Sequence, residues 1–304
     1  MKKEFIYEGT VMGGVFSVTL IGEDREEALT MFQILHDEAK RYERMFSRFL
    51  PESELSRLNR ARRAQVSDEV FAVVAHGVEL YERTHGATNM LVSIKRFGYD
   101  EDISEVLGKE RTADTSYAYN TNMTDLVLDK ETRTITLAEG QEIDVASFLK
   151  GYVAEELAQM ARGFSGVIVN LSGDIFVSGY DAQQEPFVFE IENPHDGETL
   201  RTFSLLHGAI ATSGSYRRYW SVAGEPVHHV LNARGEKNPD TDAISTTVIA
   251  PKGYEADGFA TAGLVLGTER GAELLLSEGF HYLFVRKDGS LVSTFVQERQ
   301  LLSP

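Results

Sequence analysis

Two hydrophobic periods alternate along the chain, and together they predict a mixed α+β protein. Between residues 25 and 46, apolar side chains recur three and four positions apart, which predicts an amphipathic helix with Asp24 as its N-cap. The same spacing after Ser67 predicts a second capped helix. In contrast, FSVTLIG at residues 16–22 alternates apolar and polar positions, as in a strand with one buried face.

The remaining elements are mostly short strands bounded by turn residues. Further helices are predicted near residue 53, before Gly163, and over residues 255–266 and 269–277. Further strands are predicted at residues 5–7, 126–128, 134–137, 166–171, 175–179, 187–191, 202–206, 209–212, 229–231 and 245–250, and in a hairpin over 282–296 turned by Asp288-Gly289. Residues 86–122 lack a clear period and are expected to be irregular with short strands. Because neither a repeat nor a low-complexity linker interrupts the pattern, residues 1–304 are predicted to form a single α+β domain.

Composition and net charge indicate which classes of binding partner are disfavoured. With 42% hydrophobic and 25% charged residues, the chain is typical of a globular protein. Its 30 basic and 47 acidic residues give a net charge of −17, which disfavours nucleic acid and anionic membranes as main partners, because both bind basic surfaces. A bound polyanion such as a dinucleotide would therefore depend on helix N-termini, a few cations or a metal ion.

Cysteine is absent, which excludes disulfides, thiolate metal sites and a cysteine nucleophile. The N-terminal MKKEFIYEGTVMGG contains no apolar stretch long enough for a signal peptide, and no run approaches the length of a membrane span. The sequence as it stands therefore predicts a cytoplasmic protein without a membrane span. A chain whose export signal had been removed would give the same pattern.

Two stretches carry residues that suit a metal ion and a phosphate. Asp257 and Thr261 lie four apart in IAPKGYEADGFATAGLVLG, so a helix there would place a carboxylate and a hydroxyl on one face, and hard oxygens of this kind suit Mg²⁺. DVASFLKG joins a strand to a helix at residues 144–151, where free amide groups bind anions and Lys150 would lie beside one. A purely structural role stays open for each stretch. In the first, Asp257 would cap a helix; in the second, Asp144 would cap a helix and Lys150 would extend along apolar surface to solvent.

Polar groups at the ends of apolar strands give further candidates. VNLSGD delivers Asn170 and Asp174 to a sheet edge, where ligands often dock, although a simple turn explains the motif nearly as well. ATSGSYRRYW supplies Arg217 and Arg218 beside two aromatic residues, a surface suited to stacking and phosphate contacts. His229 titrates near neutral pH and is usable as a general base, although a lone histidine on a strand is more often structural. Neither a Walker loop nor a GxGxxG motif is present.

These segments, taken in order, resemble the ApbE-type FAD:protein FMN transferases, a family once described as thiamine-biosynthesis lipoproteins. The resemblance runs from about Thr10 to Gly267 and rests on seven motifs in family order, VMGGVFSVTL, FSRFLPESELSRLN, IDVASFLKGYVAEEL, VIVNLSGDIFVSG, ATSGSYRRYW, HHVLNARG and STTVIAPKGYEADGFATAGLVLG. It implies an ApbE-like, T-fold-related α+β fold, with mixed and antiparallel sheets, flanking helices and an active site in a cleft between two halves.

The resemblance also implies a reaction and a set of site residues. In the family, Mg²⁺-dependent cleavage of the FAD pyrophosphate attaches FMN through a phosphoester to a Thr or Ser hydroxyl of a target flavoprotein, and AMP leaves. His229 matches the family histidine that activates the target hydroxyl, and Asp257 is the second implied catalytic residue. The implied metal ligands are Asp257, Thr261 and the carbonyl of Ser147. The implied FAD contacts are Met12, Ala87, Thr88, Asn89, Asp144, Lys150 and Val230.

The chain departs from the family pattern at three places around the expected flavin and target end. GATNML stands where GAFDPT is usual, NARGE where DPRTG is usual, and SGSYRRYW where SGDYERYF is usual. The metal pair and DxxSxxKG are retained. Two alternatives to the transferase therefore stay open. One is a hydrolase that splits FAD into FMN and AMP, and the other is a flavin-binding or flavin-delivery protein without catalysis.

Overall fold

The computed structural model describes residues 2–99, 101, 103–113, 119–295 and 299–302. Its α-helices are α1 (Arg25–Phe46), α2 (Glu54–Ala61), α3 (Asp68–Arg83), α4 (Ile103–Val106), α5 (Leu149–Met160) and α6 (Gly253–Ser277), with 3₁₀ turns at Ile94–Phe97 and Met123–Asp125. Its strands are β1 (Lys3–Val11), β2 (Gly14–Gly22), β3 (Arg63–Gln65), β4 (Glu110–Arg111), β5 (Val127–Asp129), β6 (Thr134–Thr136), β7 (Gly166–Leu171), β8 (Asp174–Gly179), β9 (Phe187–Glu192), β10 (Thr199–Leu205), β11 (His207–Gly214), β12 (Tyr219–Val222), β13 (Glu225–His228), β14 (Ala243–Ala250), β15 (His281–Arg286), β16 (Leu291–Ser293) and β17 (Arg299–Leu302).

An eight-stranded antiparallel sheet forms the centre of the described structure, in the order β1-β2-β7-β8-β11-β14-β15-β16. Three smaller sheets have the orders β17-β10-β9, β13-β12-β4 and β3-β6-β5. The first two of these contain one parallel pairing each, β10 with β17 and β12 with β4. The predicted α+β class with mixed and antiparallel sheets and flanking helices is therefore confirmed.

The central sheet buries both of its faces. On one face, Leu35 of α1, Leu157 of α5 and Phe259 of α6 belong to the same buried cluster as Phe16 of β2. On the other face, the small sheet β17-β10-β9 contributes Phe203 and its neighbours to a second cluster. Fully burying a side chain of this size stabilises the fold by about 1.5–3 kcal/mol. The two layers fix α5, α6 and β8 relative to each other, and these elements carry most of the site described below.

Local capping signals place the helices where the sequence predicts them. Asp24 Oδ1 accepts hydrogen bonds from the N–H groups of Glu26 at 2.7 Å and Glu27 at 3.3 Å, so α1 begins at the predicted residue. Ser53 and Ser67 cap α2 and α3 in the same way. The break predicted between residues 266 and 269 is a kink inside α6 at Gly267, whose φ of 80° favours glycine.

Two interpretations of the sequence are wrong at the level of local structure. Residues 229–231 do not form a strand, because β13 ends at His228 and the Val230 carbonyl accepts from a side chain instead of a neighbouring strand. Asp144 is not the N-cap of α5, which begins at Leu149 without a side-chain cap. In the irregular stretch 86–122, residues 100, 102 and 114–118 lie outside the described residues. Among the described residues, no helix combines the length and apolar character needed to cross a membrane.

Candidate active site

A cleft of about 680 Å³ collects most of the predicted site residues. The cleft is lined by Met12, Ala87, Asn89, Asp144, Ser147, Lys150, His229, Val230, Asp257 and Thr261. Thr88 is the exception, because its side chain is buried and its hydroxyl donates to the Gly258 carbonyl at 2.6 Å. The Thr88 side chain therefore ties the segment before the cleft to α6, and a contact between Thr88 and FAD stays a prediction.

One end of the cleft, which we call the metal end, is built from Asp257, Thr261 and Ser147. Asp257 and Thr261 lie one turn apart on α6, and the buried Asp257 Oδ2 accepts from the N–H of Gly151 at 3.1 Å. Thr261 Oγ1 lies 3.4 Å from the Ser147 carbonyl oxygen and 3.0 Å from Ser213 Oγ. The three predicted metal ligands therefore present oxygen atoms to the same region of the cleft.

This set of donors fits Mg²⁺ better than it fits a softer metal. Carboxylate, hydroxyl and carbonyl oxygens are hard ligands, and Mg²⁺ usually takes one or two carboxylates and completes its shell with water and phosphate. Among the described residues, no group of three or more His, Cys, Asp or Glu side chains could hold a metal by itself. Burial and the neighbouring Asp174 raise the pKa of Asp257 well above its usual value, so negative charge here lacks full compensation.

A buried ion pair borders the metal end. Lys150, in the first turn of α5, donates to Asp174 at the start of β8, and both line the cleft. Burial opposes the charge of Lys150, but Asp174 and Asp257 outweigh that effect and raise its pKa. Lys150 therefore forms an ion pair at the cleft and keeps only 22% of its side chain exposed, instead of extending freely into solvent. The sequence indicated Asp174 only through VNLSGD, where a carboxylate directly follows a buried strand and a turn.

Two glycines allow α5 and α6 to approach closely enough to build this end. A Cβ added to Gly151 would lie 2.1 Å from the Gly253 carbonyl oxygen, and one added to Gly253 would lie 1.9 Å from that of Gly151. The buried Glu155 side chain accepts from the Gly253 N–H at 2.8 Å and from Lys252 Nζ at 3.0 Å. The backbone crossing thus sets the distance between Lys150 and Asp257, and Glu155 fixes the start of α6.

A second part of the cleft lining, which we call the histidine end, carries His229 just after β13. Its N–H donates to the Arg218 carbonyl at 3.2 Å, and its Nδ1 is buried without a hydrogen-bond partner among the described residues. Burial, with Arg218, His228 and Lys150 nearby, lowers the pKa of His229 to about 3. The ring is therefore neutral at pH 7, and the expectation that it titrates near neutral pH is wrong because burial and the neighbouring cations disfavour its charged form. Arg218 lines the cleft and forms no ion pair within the described part of the chain.

Two of the predicted flavin contacts, Met12 and Asn89, also line the cleft. Met12 occupies the β1–β2 turn with a φ of 54°, an uncommon conformation for a residue other than glycine, and its N–H donates to Glu43 Oε1 at 2.9 Å. Asn89 Nδ2 donates to the carbonyls of Thr121 at 3.0 Å and Ala233 at 3.3 Å. An aspartate at this position would have no such donor, so the change from GAFDPT to GATNML gives the wall of the cleft a new cross-link.

Asp144 is held by a residue that the sequence did not single out. Arg48 donates to Asp144 Oδ2 at 2.5 Å, and its guanidinium lies 4.8 Å from the Phe49 ring and 4.5 Å from the Tyr99 ring. Asp144 Oδ1 accepts from the N–H of Ala146 at 3.0 Å. Arg48 lies inside FSRFLPESELSRLN, but only the folded chain places it against DVASFLKG, 96 positions later.

Fold and cleft together define an α+β protein with a large binding cleft that is lined by cations, hard oxygen ligands and a neutral histidine. A model of the ApbE family matches residues 12–284, and the chain belongs to this family.

Curated relatives and solved structures agree with this family. The chain is similar to the FAD:protein FMN transferase of Klebsiella pneumoniae (strain 342), with 26% identity covering 96% of this chain and 87% of that protein. It is 27% identical to the FAD:protein FMN transferase of Salmonella typhimurium, with the same coverage of 96% and 87%. The flavin transferase ApbE from Vibrio cholerae superposes with a TM-score of 0.80 at 21% identity, covering 96% of this chain and 97% of that chain. The ApbE protein from Thermotoga maritima gives 0.80 at 23% identity, covering 96% and 97%. At these identities the structures establish the fold.

Proposed function

We propose that this protein is an FAD:protein FMN transferase that uses Mg²⁺, attaches FMN to a Thr or Ser hydroxyl of a target flavoprotein and releases AMP. The convergence of Lys150, Asp257, Thr261 and His229 on one cleft is the observation that carries the proposal. The curated relatives bear the name of this activity. We propose further that residues 1–304 act as one catalytic unit.

The metal end would bind the pyrophosphate of FAD. Lys150 lies at the N-terminal turn of α5, where free N–H groups and the helix dipole also favour an anion. Arg218 adds a second cation on the cleft wall. Asp257, Thr261 and the Ser147 carbonyl would hold Mg²⁺, which when bound offsets the charge that develops on the transferred phosphate. These local charges suit a dinucleotide in a protein whose net charge is −17.

The histidine end would activate the acceptor. His229 is neutral at pH 7, so it can take the proton of the target hydroxyl as that oxygen attacks the phosphorus on the FMN side. The phosphates of bound FAD would offset the charges of Arg218 and Lys150, which raises the pKa of His229 towards the range of a general base. A new P–O bond to the acceptor forms, and the bond between that phosphorus and the bridging pyrophosphate oxygen breaks. AMP leaves with the bridging oxygen, and the proton passes from His229 to solvent.

The test uses the purified protein with FAD, MgCl₂ and a panel of flavoprotein domains that carry an acceptor Thr or Ser. We expect the mass of at least one acceptor to rise by one FMN, with an equal amount of AMP released, and EDTA to stop both. Release of FMN and AMP without any acceptor would favour the hydrolase. FAD binding without AMP release, unaffected by Asp257→Ala, would favour a flavin-binding or flavin-delivery protein.

A further inference from the structure

The segment that carries His229 is held by a side chain that does not line the cleft. Asn238 Nδ2 donates to the carbonyl oxygens of His228 at 2.7 Å and Val230 at 2.6 Å. Asn238 Oδ1 accepts from the N–H of His228 at 3.0 Å. A single amide group therefore binds the backbone on both sides of His229.

This arrangement replaces the hydrogen bonds that a strand would provide. β13 ends at His228, so His229 and Val230 have no neighbouring strand to fix their backbone. On one side of the segment, the Arg218 carbonyl accepts from the His229 N–H. On the other side, Asn238 uses both of its donor hydrogens and its acceptor on the backbone, which leaves it little capacity to bind a ligand.

We propose that Asn238 is a positioning residue for His229, holding the 228–230 backbone so that the imidazole stays at the cleft. The inference rests on the proposed function, because only there does His229 take a proton from the acceptor hydroxyl. The geometry of proton transfer is demanding, and a displacement of about 1 Å can lower a rate about 100-fold. Loss of Asn238 should therefore act on the rate of transfer and leave FAD binding intact.

Two substitutions separate the parts of this interaction. Asn238→Ala removes all three hydrogen bonds. Asn238→Asp keeps an acceptor for the His228 N–H but places carboxylate oxygen against the carbonyls of His228 and Val230. Gln33→Glu, on the exposed face of α1, introduces the same change from amide to carboxylate away from the cleft lining and is expected to keep the wild-type rate.

The experiment measures kcat for FMN transfer, KM for FAD and the titration of His229 by NMR in the wild-type protein and in each variant. We expect kcat to fall about 10-fold to 100-fold in both Asn238 variants, with KM for FAD unchanged. In Asn238→Ala the ring gains access to water, so its pKa should rise from about 3 towards the ordinary value of about 6.5. A wild-type kcat and an unchanged His229 titration in these variants would overturn the inference.

A double substitution distinguishes positioning from a general loss of stability. If Asn238 acts through His229, adding Asn238→Ala to His229→Gln causes no further fall in kcat. A second fall of the same size would show that Asn238 acts on the fold and would sink the inference. If the wild-type protein transfers no FMN, the proposed function fails, and the NMR titration by itself still decides whether Asn238 positions the His229 ring.

Discussion

The two ends of the cleft are built in different ways. At the metal end, two helices cross in backbone contact, so that Gly151 and Asp257 are joined by a hydrogen bond in a buried environment. At the histidine end, an irregular loop carries His229, and the side-chain amides of Asn89 and Asn238 hold that loop. The packing of two helices thus supports the first end, and side-chain hydrogen bonds to an irregular loop support the second.

This difference explains where the chain keeps the family pattern and where it departs from it. The DxxSxxKG motif and the pair Asp257 and Thr261 depend on a helix crossing that tolerates almost no added atoms. GATNML and NARGE lie where side-chain hydrogen bonds can be rearranged, and Asn89 Nδ2 now joins these two segments through the Ala233 carbonyl. The altered segments therefore form a cross-linked wall of the cleft.

The largest expected effect is on catalysis at the metal end. We expect Asp257→Asn to lower the rate of FMN transfer about 10²–10³-fold, because it removes the charge that would bind Mg²⁺ and keeps the size of the side chain. The free energy of unfolding should not fall, since burial and Asp174 already disfavour charge at Asp257. Transfer assays across a MgCl₂ series and urea unfolding check both parts.

The matched control for this change is Asp37→Asn on the exposed face of α1, which should alter neither quantity. An unchanged transfer rate and Mg²⁺ dependence in Asp257→Asn would contradict the assignment of the metal end.

A second prediction concerns the helix crossing. We expect Gly151→Ala to lower the free energy of unfolding by about 2–3 kcal/mol, because the new methyl group would lie 2.1 Å from the Gly253 carbonyl oxygen and the helices must move apart. Gly163→Ala, where an added Cβ meets no atom within 4 Å, should change it by less than about 0.5 kcal/mol. Equal urea midpoints for the two variants would show that the crossing is not tight.

A third prediction tests the cross-link at the histidine end. We expect Asn89→Asp to cost about 1–2 kcal/mol of unfolding free energy, because the carboxylate cannot donate to the carbonyls of Thr121 and Ala233. Urea unfolding measures this cost, and Gln33→Glu on the exposed face of α1 serves again as the control for the change of charge. A stability equal to that of the wild type would mean that the hydrogen bonds of the Asn89 amide do not stabilise the protein.

The last prediction concerns the pH dependence of stability. The pKa of His229 is lowered to about 3 in the folded protein, against about 6.5 when it is unfolded, so below pH 6.5 the unfolded chain binds the proton first. Stability contributed by the neutral ring is therefore present above pH 6.5 and is lost as the pH falls towards 3. Urea unfolding between pH 7 and pH 5 should show a steeper loss in the wild type than in His229→Gln, and parallel curves would argue against a buried neutral ring.

Much of the fold follows from local signals in the sequence. Asp24, Ser53 and Ser67 cap their helices because a short oxygen-bearing side chain satisfies free N–H groups of its own first turn. β7 occupies residues 166–171 as predicted, because an apolar run between turn residues fits a buried strand. The prediction of a strand from the apolar pattern at residues 229–231 is wrong. There the Val230 carbonyl accepts a hydrogen bond from the Asn238 side chain and not from a neighbouring strand.

The sequence by itself determined the family resemblance, the helix starts and the candidate residues of the site, because each depends on neighbours within a few positions. Only the tertiary structure decided that Lys150 pairs with Asp174, 24 positions away, and that Asp257 accepts from Gly151, 106 positions away. Such contacts depend on the order of strands in the central sheet and on the crossing of α5 with α6. Neither the strand order nor the helix crossing can be predicted from hydrophobic periodicity, because that periodicity reports only on the segment in which it occurs.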